Sequence, residues 1–275
     1  MIQTFLTWQR GGYGEPLLLL HGIGTSAADF TGLRPLLEQT YTVFSVDLPG
    51  HGQSPPLPHR PTVAAVADVL EADLDRLGLS RVHVLGDSLG ARLALELARR
   101  GRALSVVAIA PSGLNALGER VLQALAMGGV RLALRSARPL LRPLSRRRAG
   151  RIALLTGLRG RPWTASEPEA LALKSGFAEA KGFWRLLWYS ILTDMPHGLE
   201  EIDCPVLLAQ GTRDVISVGQ TPRYLFAVPG STFQPIVAGG HAPMSDTPQQ
   251  ILRLVNEAVA RADTSFSAPL LAAVS

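Results

Sequence analysis

The segment from residue 81 to residue 97 constrains the fold of this chain more than any other part of it. Residues 82–85 form a segment of strand character, apolar at Val82, Val84 and Leu85, that leads directly into the sequence Gly-Asp-Ser-Leu-Gly. Good helix formers follow at once, with apolar residues at helical spacing. A strand that becomes a helix within three residues needs a backbone almost free of side chains, which Gly86 and Gly90 provide. The pattern therefore predicts Ser88 at the apex of a strained turn, above a helix N-terminus that favours negative charge.

The rest of the chain predicts strands that alternate with helices on both sides of one long helical segment. Strands are expected at residues 3–9, 17–20, 43–46, 82–85, 106–110, 206–210 and 232–237, and helices at 29–38, 62–78 and 248–262. This alternation predicts an α/β fold with a doubly wound, mostly parallel sheet. Residues 1–111 and 202–263 are expected to form the core domain and residues 112–201 a helical cap. The tail 264–275 is expected to be poorly ordered.

Composition and local patterns exclude several classes of protein. Hydrophobic residues make up 47% of the chain and charged residues 18%, which is typical of a globular protein. The single cysteine, Cys204, excludes an internal disulfide. Residues 1–10 lack a basic flank followed by an apolar segment, and the apolar run 17–20 is too short to span a membrane, so neither a signal sequence nor a membrane span is predicted and the expected location is cytoplasmic. No phosphate-binding glycine loop, CxxC or HExxH pattern is present, so no cofactor and no metal site is predicted.

Four further motifs stand in a fixed order around the central segment. They are His-Gly-Ile-Gly at 21–24, Asp-Leu-Pro-Gly-His-Gly-Gln-Ser at 47–54, Gly-Thr-Arg-Asp at 211–214 and Gly-Gly-His-Ala at 239–242. With Gly-x-Ser-x-Gly at 86–90, they make the chain resemble α/β-hydrolase-fold proteins with a helical cap, from about residue 4 to residue 262. The resemblance implies that the first two motifs and the Gly-x-Ser-x-Gly turn follow the third, fourth and fifth strands. It also implies a catalytic Ser…Asp…His order.

The candidate catalytic residues are Ser88, Asp214 and His241. A serine hydroxyl is a weak nucleophile that needs a base within hydrogen-bonding reach. His241 directly follows the last predicted strand and is the candidate base. Asp214 lies at the end of the strand 206–210 and would orient the imidazole. Some relatives carry this acid after the preceding strand, but that position here offers only Ser112 and Asn115.

Acyl transfer also needs hydrogen-bond donors for the oxyanion that forms on the substrate. The backbone N–H of Leu89, directly after the nucleophile, is one candidate. By the resemblance, the N–H of Ile23 is the other, and His21 and His51 are structural residues that hold the loops beside the turn. Asp87 departs from the family pattern, where an uncharged residue or a histidine is common, and it is expected to bond locally.

The predicted cap carries an aromatic pattern and a basic pattern. Phe177, Trp184 and Trp188 have the spacing of one helical face. The favoured interpretation is that these side chains pack between helices, and the alternative is that they line an apolar substrate pocket above Ser88. Between residues 120 and 161 there are 11 arginines and no carboxylate. Arg131, Arg135 and Arg138 are expected on one helical face, favouring a solvated basic surface over contact with an anionic membrane or an acidic carrier. Binding of nucleic acid is not predicted.

These features together predict a serine hydrolase of the capped α/β-hydrolase type. Relatives that are haloalkane dehalogenases or epoxide hydrolases use an Asp at the nucleophile position, whereas this chain has Ser88. The expected substrates are small, mostly apolar carboxylic esters or thioesters, cleaved through an acyl-enzyme. The alternatives are a C–C bond hydrolase acting on ring-cleavage products and, from another class, a ligand-sensing or membrane-surface binding protein. The oligomeric state is left open.

Overall fold

Seven strands form one sheet in the part of the chain that the computed structural model describes, residues 5–217 and 219–267 apart from the side chains of residues 174, 175 and 265–267. The strands are β1 Thr7–Gly11, β2 Glu15–Leu20, β3 Tyr41–Asp47, β4 Val82–Asp87, β5 Ala103–Ile109, β6 Val206–Gly211 and β7 Thr232–Ile236. Their order is β1-β3-β2-β4-β5-β6-β7. Only the β1–β3 pair among these neighbours is antiparallel, so the predicted mostly parallel sheet is confirmed.

Helices cover both faces of this sheet. The α-helices of the described chain are α1 Arg34–Leu37, α2 Val63–Arg76, α3 Leu89–Arg99, α4 Leu117–Ser136, α5 Arg138–Arg146, α6 Arg148–Leu155, α7 Glu167–Glu179, α8 Phe183–Leu186, α9 Gln220–Ala227 and α10 Pro248–Ser267. Successive side chains of a strand point to opposite faces. Leu18 and Leu20 therefore pack in the core that contains α2 and α3. Leu17 and Leu19 pack in the core that contains α10.

The positions of the motifs in the sheet differ from the expectation. The motifs at 21–24, 47–54 and 86–90 follow the second, third and fourth strands of the described residues, not the third, fourth and fifth. The reason lies in the short connection after β1. Gly12 and Gly14 adopt φ values of +76° and +98°, and this left-handed backbone returns the chain directly into β2.

The predicted helix at residues 29–38 is also wrong in part, because two short helices replace it. A 3₁₀ helix covers Ala27–Phe30, and α1 begins only at Arg34. Pro35 lacks the N–H that a continuous helix would need, and proline is tolerated at the start of a new helix. The two short helices leave a turn between them at residues 31–33.

The described residues between β5 and β6 form helices and no strand. Besides α4–α8 they include 3₁₀ helices at Pro162–Thr164 and Leu199–Glu201 and a π-helix at Leu187–Leu192. A buried arginine of α3, Arg92, connects them to the sheet domain. It donates a hydrogen bond to the carbonyl of Ser190 and lies 3.4 Å from Asp194 Oδ1. The described residues between the neighbouring strands β5 and β6 thus form a purely helical insertion.

The expected basic helix face of Arg131, Arg135 and Arg138 is wrong. Arg131 is only 2% exposed, because its guanidinium donates hydrogen bonds to the carbonyls of Phe177 and Ala180 and lies over the Phe183 ring. Helix α4 ends at Ser136, so Arg138 belongs to a separate helix. Arg131 therefore connects α4 to the end of α7 and is no part of a solvated surface.

The last helix is longer than expected. The sequence predicts its end near residue 262, whereas α10 continues to Ser267, so the first residues of the predicted tail are helical. The remainder of that tail, residues 268–275, lies outside the described residues. Within the described chain, none of the helices combines the length and hydropathy needed to cross a bilayer.

Candidate active site

The turn that carries Ser88 has the strained geometry that the sequence predicts. Ser88 lies between β4 and α3 with φ +54°, a value that residues with a side chain rarely adopt. A Cβ on Gly86 would lie 2.3 Å from the carbonyl oxygen of Gly90, and a Cβ on Gly90 would lie 2.0 Å from that of Leu20. Both glycines are therefore required for the strand to turn directly into the helix.

The loop 21–24 lies beside this turn. A Cβ on Gly22 would be 3.4 Å from the Ser88 Cβ, and Ile23 lines the same cavity as Ser88. Leu89 is the first residue of α3, so its N–H has no intrahelical acceptor. Neither this N–H nor that of Ile23 donates a hydrogen bond to another described residue. Two unused backbone donors thus flank the serine.

His241 and Asp214, predicted from two separate motifs, meet at the ends of β6 and β7. His241 Nδ1 lies 3.2 Å from Asp214 Oδ2 and 3.0 Å from the Ser217 hydroxyl. Asp214 Oδ1 accepts hydrogen bonds from the N–H groups of Ile216 at 2.7 Å and Ser217 at 3.2 Å. The carboxylate is held in place by the backbone, and Nδ1 is held as a donor towards it. This arrangement leaves Nε2 of His241 as the proton acceptor.

The electrostatics of the pair suit a base that becomes charged during a reaction. Burial lowers the pKa of His241, but the hydrogen bond and the charge of Asp214 outweigh it, so this pKa lies above its ordinary value. Burial raises the pKa of Asp214, but the charge and hydrogen bond of His241 and the N–H groups of Ile216 and Ser217 hold it below its ordinary value. An ionised Asp214 therefore stabilises an imidazolium at His241.

Ser88 and His241 line one cavity of about 530 Å³. Among the described residues no hydrogen bond joins the Ser88 hydroxyl to the imidazole, as is common in hydrolase sites without substrate. The helices α4 and α7 contribute apolar lining from Leu122, Met127 and Phe177. The cavity therefore lies between the strand ends and the inserted helices.

Asp87 does not bond locally, which corrects the expectation for it. Its side chain is buried and lines the cavity, and Oδ1 has no hydrogen-bond partner among the described residues. Burial raises the pKa of Asp87 to about 8. The charges of Asp29 and Asp214 raise this pKa further, and the charge of His241 partly offsets the increase. At neutral pH this carboxyl is therefore mostly protonated and uncharged.

Two further buried oxygens without a hydrogen-bond partner in the described chain line the same cavity. They are the Ser112 hydroxyl and Asn115 Oδ1, at the position where some relatives carry the acid. The cavity is thus apolar at α4 and α7 and offers hydrogen-bonding groups close to Ser88.

His21 and His51 have the structural roles that the resemblance implies. Nε2 of His21 accepts the N–H of Leu48, and Nε2 of His51 accepts the N–H of Gly24, each at 2.9 Å. Burial lowers the pKa of His21 to about 4 and that of His51 to about 3. Both imidazoles are neutral acceptors that fix the loop 21–24 beside Ser88.

The predicted aromatic face divides between the cavity and the surface. Phe177 lines the cavity, and a Cβ on Gly24 would lie 2.3 Å from its ring. Trp184 and Trp188 are half-exposed and lie outside the described lining. The three residues belong to α7, α8 and the π-helix, because α7 ends at Glu179. A single helical face through all three is therefore wrong, and only Phe177 retains the pocket assignment.

Sequence reasoning missed Asp246 as a residue that positions the site. Its carboxylate accepts hydrogen bonds from the N–H of Gly240 at 3.1 Å, the N–H of Gly160 at 2.6 Å and the Arg159 guanidinium at 2.8 Å. It thereby connects the loop that carries His241 to the inserted helices. Its position five residues after His241 gives no local sign of these contacts.

The chain belongs to the alpha/beta hydrolase family, whose family model matches residues 17–254. An uncharacterized protein of Mycobacterium tuberculosis is 31% identical over 260 residues, which cover 89% of this chain and 75% of that protein. Epoxide hydrolase EphH of the same organism is 29% identical over 202 residues, covering 70% and 92% of the two chains. The acetyltransferase component of the acetoin cleaving system of Cupriavidus necator is 36% identical over 107 residues, only 38% of this chain and 29% of that protein.

Solved structures confirm the fold. A thermophilic esterase from Thermogutta terrifontis matches with a TM-score of 0.72 and 22% identity, covering 94% of this chain and 93% of the other. A meta-cleavage product hydrolase from Pseudomonas fluorescens matches with a TM-score of 0.70 and 19% identity, covering 94% of both chains. Because both structures are less than 25% identical to this chain, their similarity supports the fold assignment alone.

Proposed function

We propose that this chain is a serine hydrolase that cleaves small, mostly apolar carboxylic esters or thioesters through an acyl-enzyme. The observation that carries the proposal is the contact of His241 Nδ1 with Asp214, which leaves Nε2 as a base on the same cavity as Ser88. In the proposed domain organisation, residues 112–201 form a cap over a core of residues 1–111 and 202–263. The proposed location is the cytoplasm, as the sequence predicts.

In the first step, the Ser88 hydroxyl attacks the ester carbonyl and its proton passes to His241 Nε2. Asp214 stabilises the resulting imidazolium without taking its proton. The negative charge that develops on the carbonyl oxygen is bound by the N–H groups of Leu89 and Ile23. The tetrahedral intermediate then expels the alcohol or thiol, which receives the proton from His241, and Ser88 is left acylated.

In the second step, water attacks the acyl-enzyme. His241 accepts a proton from that water, and the same two N–H groups stabilise the second oxyanion. The intermediate releases the carboxylic acid as Ser88 leaves and regains its proton from His241. The two halves use the same base and the same donors, so a single arrangement of these residues serves the whole cycle.

The lining of the cavity favours a neutral substrate. Glu119 contributes a carboxylate and Asp87 an uncharged carboxyl group, and no Arg or Lys is among the described lining residues. A ring-cleavage product formed by opening a catechol carries a carboxylate, for which the cavity offers no cationic partner. Hydrolysis of esters or thioesters is therefore proposed ahead of C–C bond hydrolysis. The similarity to an epoxide hydrolase does not extend to the nucleophile expected of such enzymes, because position 88 is Ser.

The proposal is tested by measuring turnover of p-nitrophenyl esters from acetate to decanoate beside a ring-cleavage dienone. We expect ester turnover, labelling of Ser88 by a fluorophosphonate, and loss of both in Ser88→Ala. The control is Ser26→Ala, which alters a partly buried serine at a 3₁₀ helix outside the cavity lining. Wild-type turnover in Ser88→Ala would exclude the assignment, and binding of esters without turnover would favour a ligand-sensing protein.

A further inference from the structure

The outer face of α4 is apolar although it is exposed to solvent. The large apolar side chains exposed on this helix are Leu117, Val121, Leu122, Leu125, Val130 and Leu132. Residues four apart in a helix lie on one face, so Leu117, Val121 and Leu125 form a row. Leu117 is 65% exposed and Leu125 is 68% exposed. Contiguous exposed patches of this kind mark binding surfaces more often than they mark ordinary solvated helices.

The neighbouring helices α5 and α6 are strongly basic. Arg142, Arg147 and Arg148 are exposed and form no ion pair with any described residue. No carboxylate occurs between residues 120 and 161, so this stretch carries no local negative charge of its own. Helix α5 also exposes Leu140 and Leu144. An occupant of this surface therefore needs negative charge together with apolar surface.

The apolar face and the cavity share residues. Leu122 is 70% exposed and also lines the cavity, as do the exposed Ala126 and Val130. A partner that covers the outer face of α4 thus lies at the entrance to the cavity that contains Ser88. This continuity connects the surface to the site without requiring a change in the fold.

We propose that α4 and α5 form a docking surface for an anionic lipid bilayer. The apolar side chains of α4 would lie at the boundary of head groups and acyl chains, and the arginines of α5 and α6 would bind anionic head groups. The sequence favours a solvated basic surface over contact with a membrane. We now favour the bilayer contact, because the apolar residues of α4 are exposed beside the basic helices. A second copy of the chain fits less well, since a symmetric contact would bring the same arginines together.

The proposal is tested by co-sedimentation of the full chain with vesicles. One preparation contains phosphatidylcholine with about one quarter phosphatidylglycerol, and the other contains phosphatidylcholine alone. We expect binding to the anionic vesicles that weakens as salt rises. Leu117→Gln/Leu125→Gln should lower the partition coefficient at least tenfold. The matched control is Tyr13→Gln, because Tyr13 is 71% exposed in the turn between β1 and β2, far from α4 in the fold.

A second pair of variants tests the charge. Arg142→Gln/Arg148→Gln removes two exposed positive charges from α5 and α6, and Arg10→Gln/Arg253→Gln removes two from β1 and α10. We expect the first pair to weaken binding about thirtyfold, about 2 kcal/mol at about 1.4 kcal/mol per tenfold, since each basic residue near an anionic leaflet contributes about 1 kcal/mol. The second pair should change binding much less.

Three results would overturn the proposal. They are equal binding to neutral and anionic vesicles, the same loss in the control variants, and no vesicle binding at all. Self-association that disappears in Leu117→Gln/Leu125→Gln, without vesicle binding, would assign the face to contacts between copies of the chain. Because binding is measured without turnover, the result is independent of the proposed hydrolase activity.

Discussion

The protonated carboxyl of Asp87 beside Ser88 has a measurable consequence for stability. Burial raises its pKa from 3.8 to about 8 in the folded protein. In the unfolded chain the same carboxyl is solvated and ionises near its ordinary value. Asp87→Asn keeps the shape of a protonated aspartate and cannot ionise. Comparing the two proteins therefore isolates the cost of charging this one group.

Between about pH 4 and pH 8 the unfolded wild-type chain binds fewer protons at this position than the folded protein does. The free energy of unfolding of the wild type therefore falls as pH rises through this window, by about 1.4 kcal/mol per pH unit. Over the full window this amounts to about 6 kcal/mol as an upper limit, since relaxation and entry of water reduce the cost of burying charge. The Asn variant escapes this loss.

The assay is urea unfolding at pH 5, 7 and 9, followed by tryptophan fluorescence. The gain of Asp87→Asn over the wild type should increase from pH 5 to pH 9 and reach several kcal/mol. The control is Asp203→Asn, because the Asp203 side chain is 73% exposed and lies 4.0 Å from its arginine partner. Its difference from the wild type should vary little with pH. A gain for Asp87→Asn that stays constant or decreases from pH 5 to pH 9 would refute the reasoning.

Two further predictions concern His241. Asp214→Asn should lower kcat for p-nitrophenyl butyrate by about three to four orders of magnitude, because Nδ1 then lacks an anionic acceptor; a loss below tenfold would exclude Asp214 as the orienting acid. The base must be neutral to act, and the pKa of His241 is raised above 6.5. In the wild type, the acid limb of the pH profile of kcat/KM should therefore have its midpoint above pH 6.5. In Asp214→Asn, the midpoint measured on the residual activity should lie at a lower pH.

The parts of the site that the sequence predicts are those fixed by local backbone geometry. The turn at Ser88 needs glycine on both sides, and the clashes that a Cβ would cause at Gly86 and Gly90 are the physical reason. His241 and Asp214 follow apolar strand runs, and parallel strands bring their carboxyl ends to one edge of the sheet. Motif order and strand direction are both visible in a sequence, so the meeting of these residues could be predicted.

The parts that the sequence does not predict depend on packing between distant segments. The sequence predicts a local partner for Asp87, but the folded chain buries its side chain and leaves Oδ1 without a hydrogen-bond partner among the described residues. Asp246 acts through contacts with residues 159 and 160, more than 80 residues earlier in the chain. Trp184 follows the break after α7 and faces the surface. Local sequence patterns carry no information on contacts between such distant segments.

The buried guanidinium of Arg131 gives the last prediction, because it separates an arginine that holds the fold from one that only adds charge. Arg131→Met keeps an unbranched apolar stem in place of the arginine stem but removes the guanidinium and its hydrogen bonds to the carbonyls of Phe177 and Ala180. A buried acceptor left without a partner costs about 1–3 kcal/mol. The cation–π contact at 4.7 Å from the Phe183 ring is lost as well.

The expected fall in the free energy of unfolding is about 2–5 kcal/mol, measured by urea unfolding. The matched control is Arg135→Met, one turn later on the same helix, where the side chain is exposed and a change within about 0.5 kcal/mol is expected. Both variants remove one positive charge from α4, so electrostatics alone would predict equal effects. Equal destabilisation would show that Arg131 acts through its charge and not through the carbonyls that it binds.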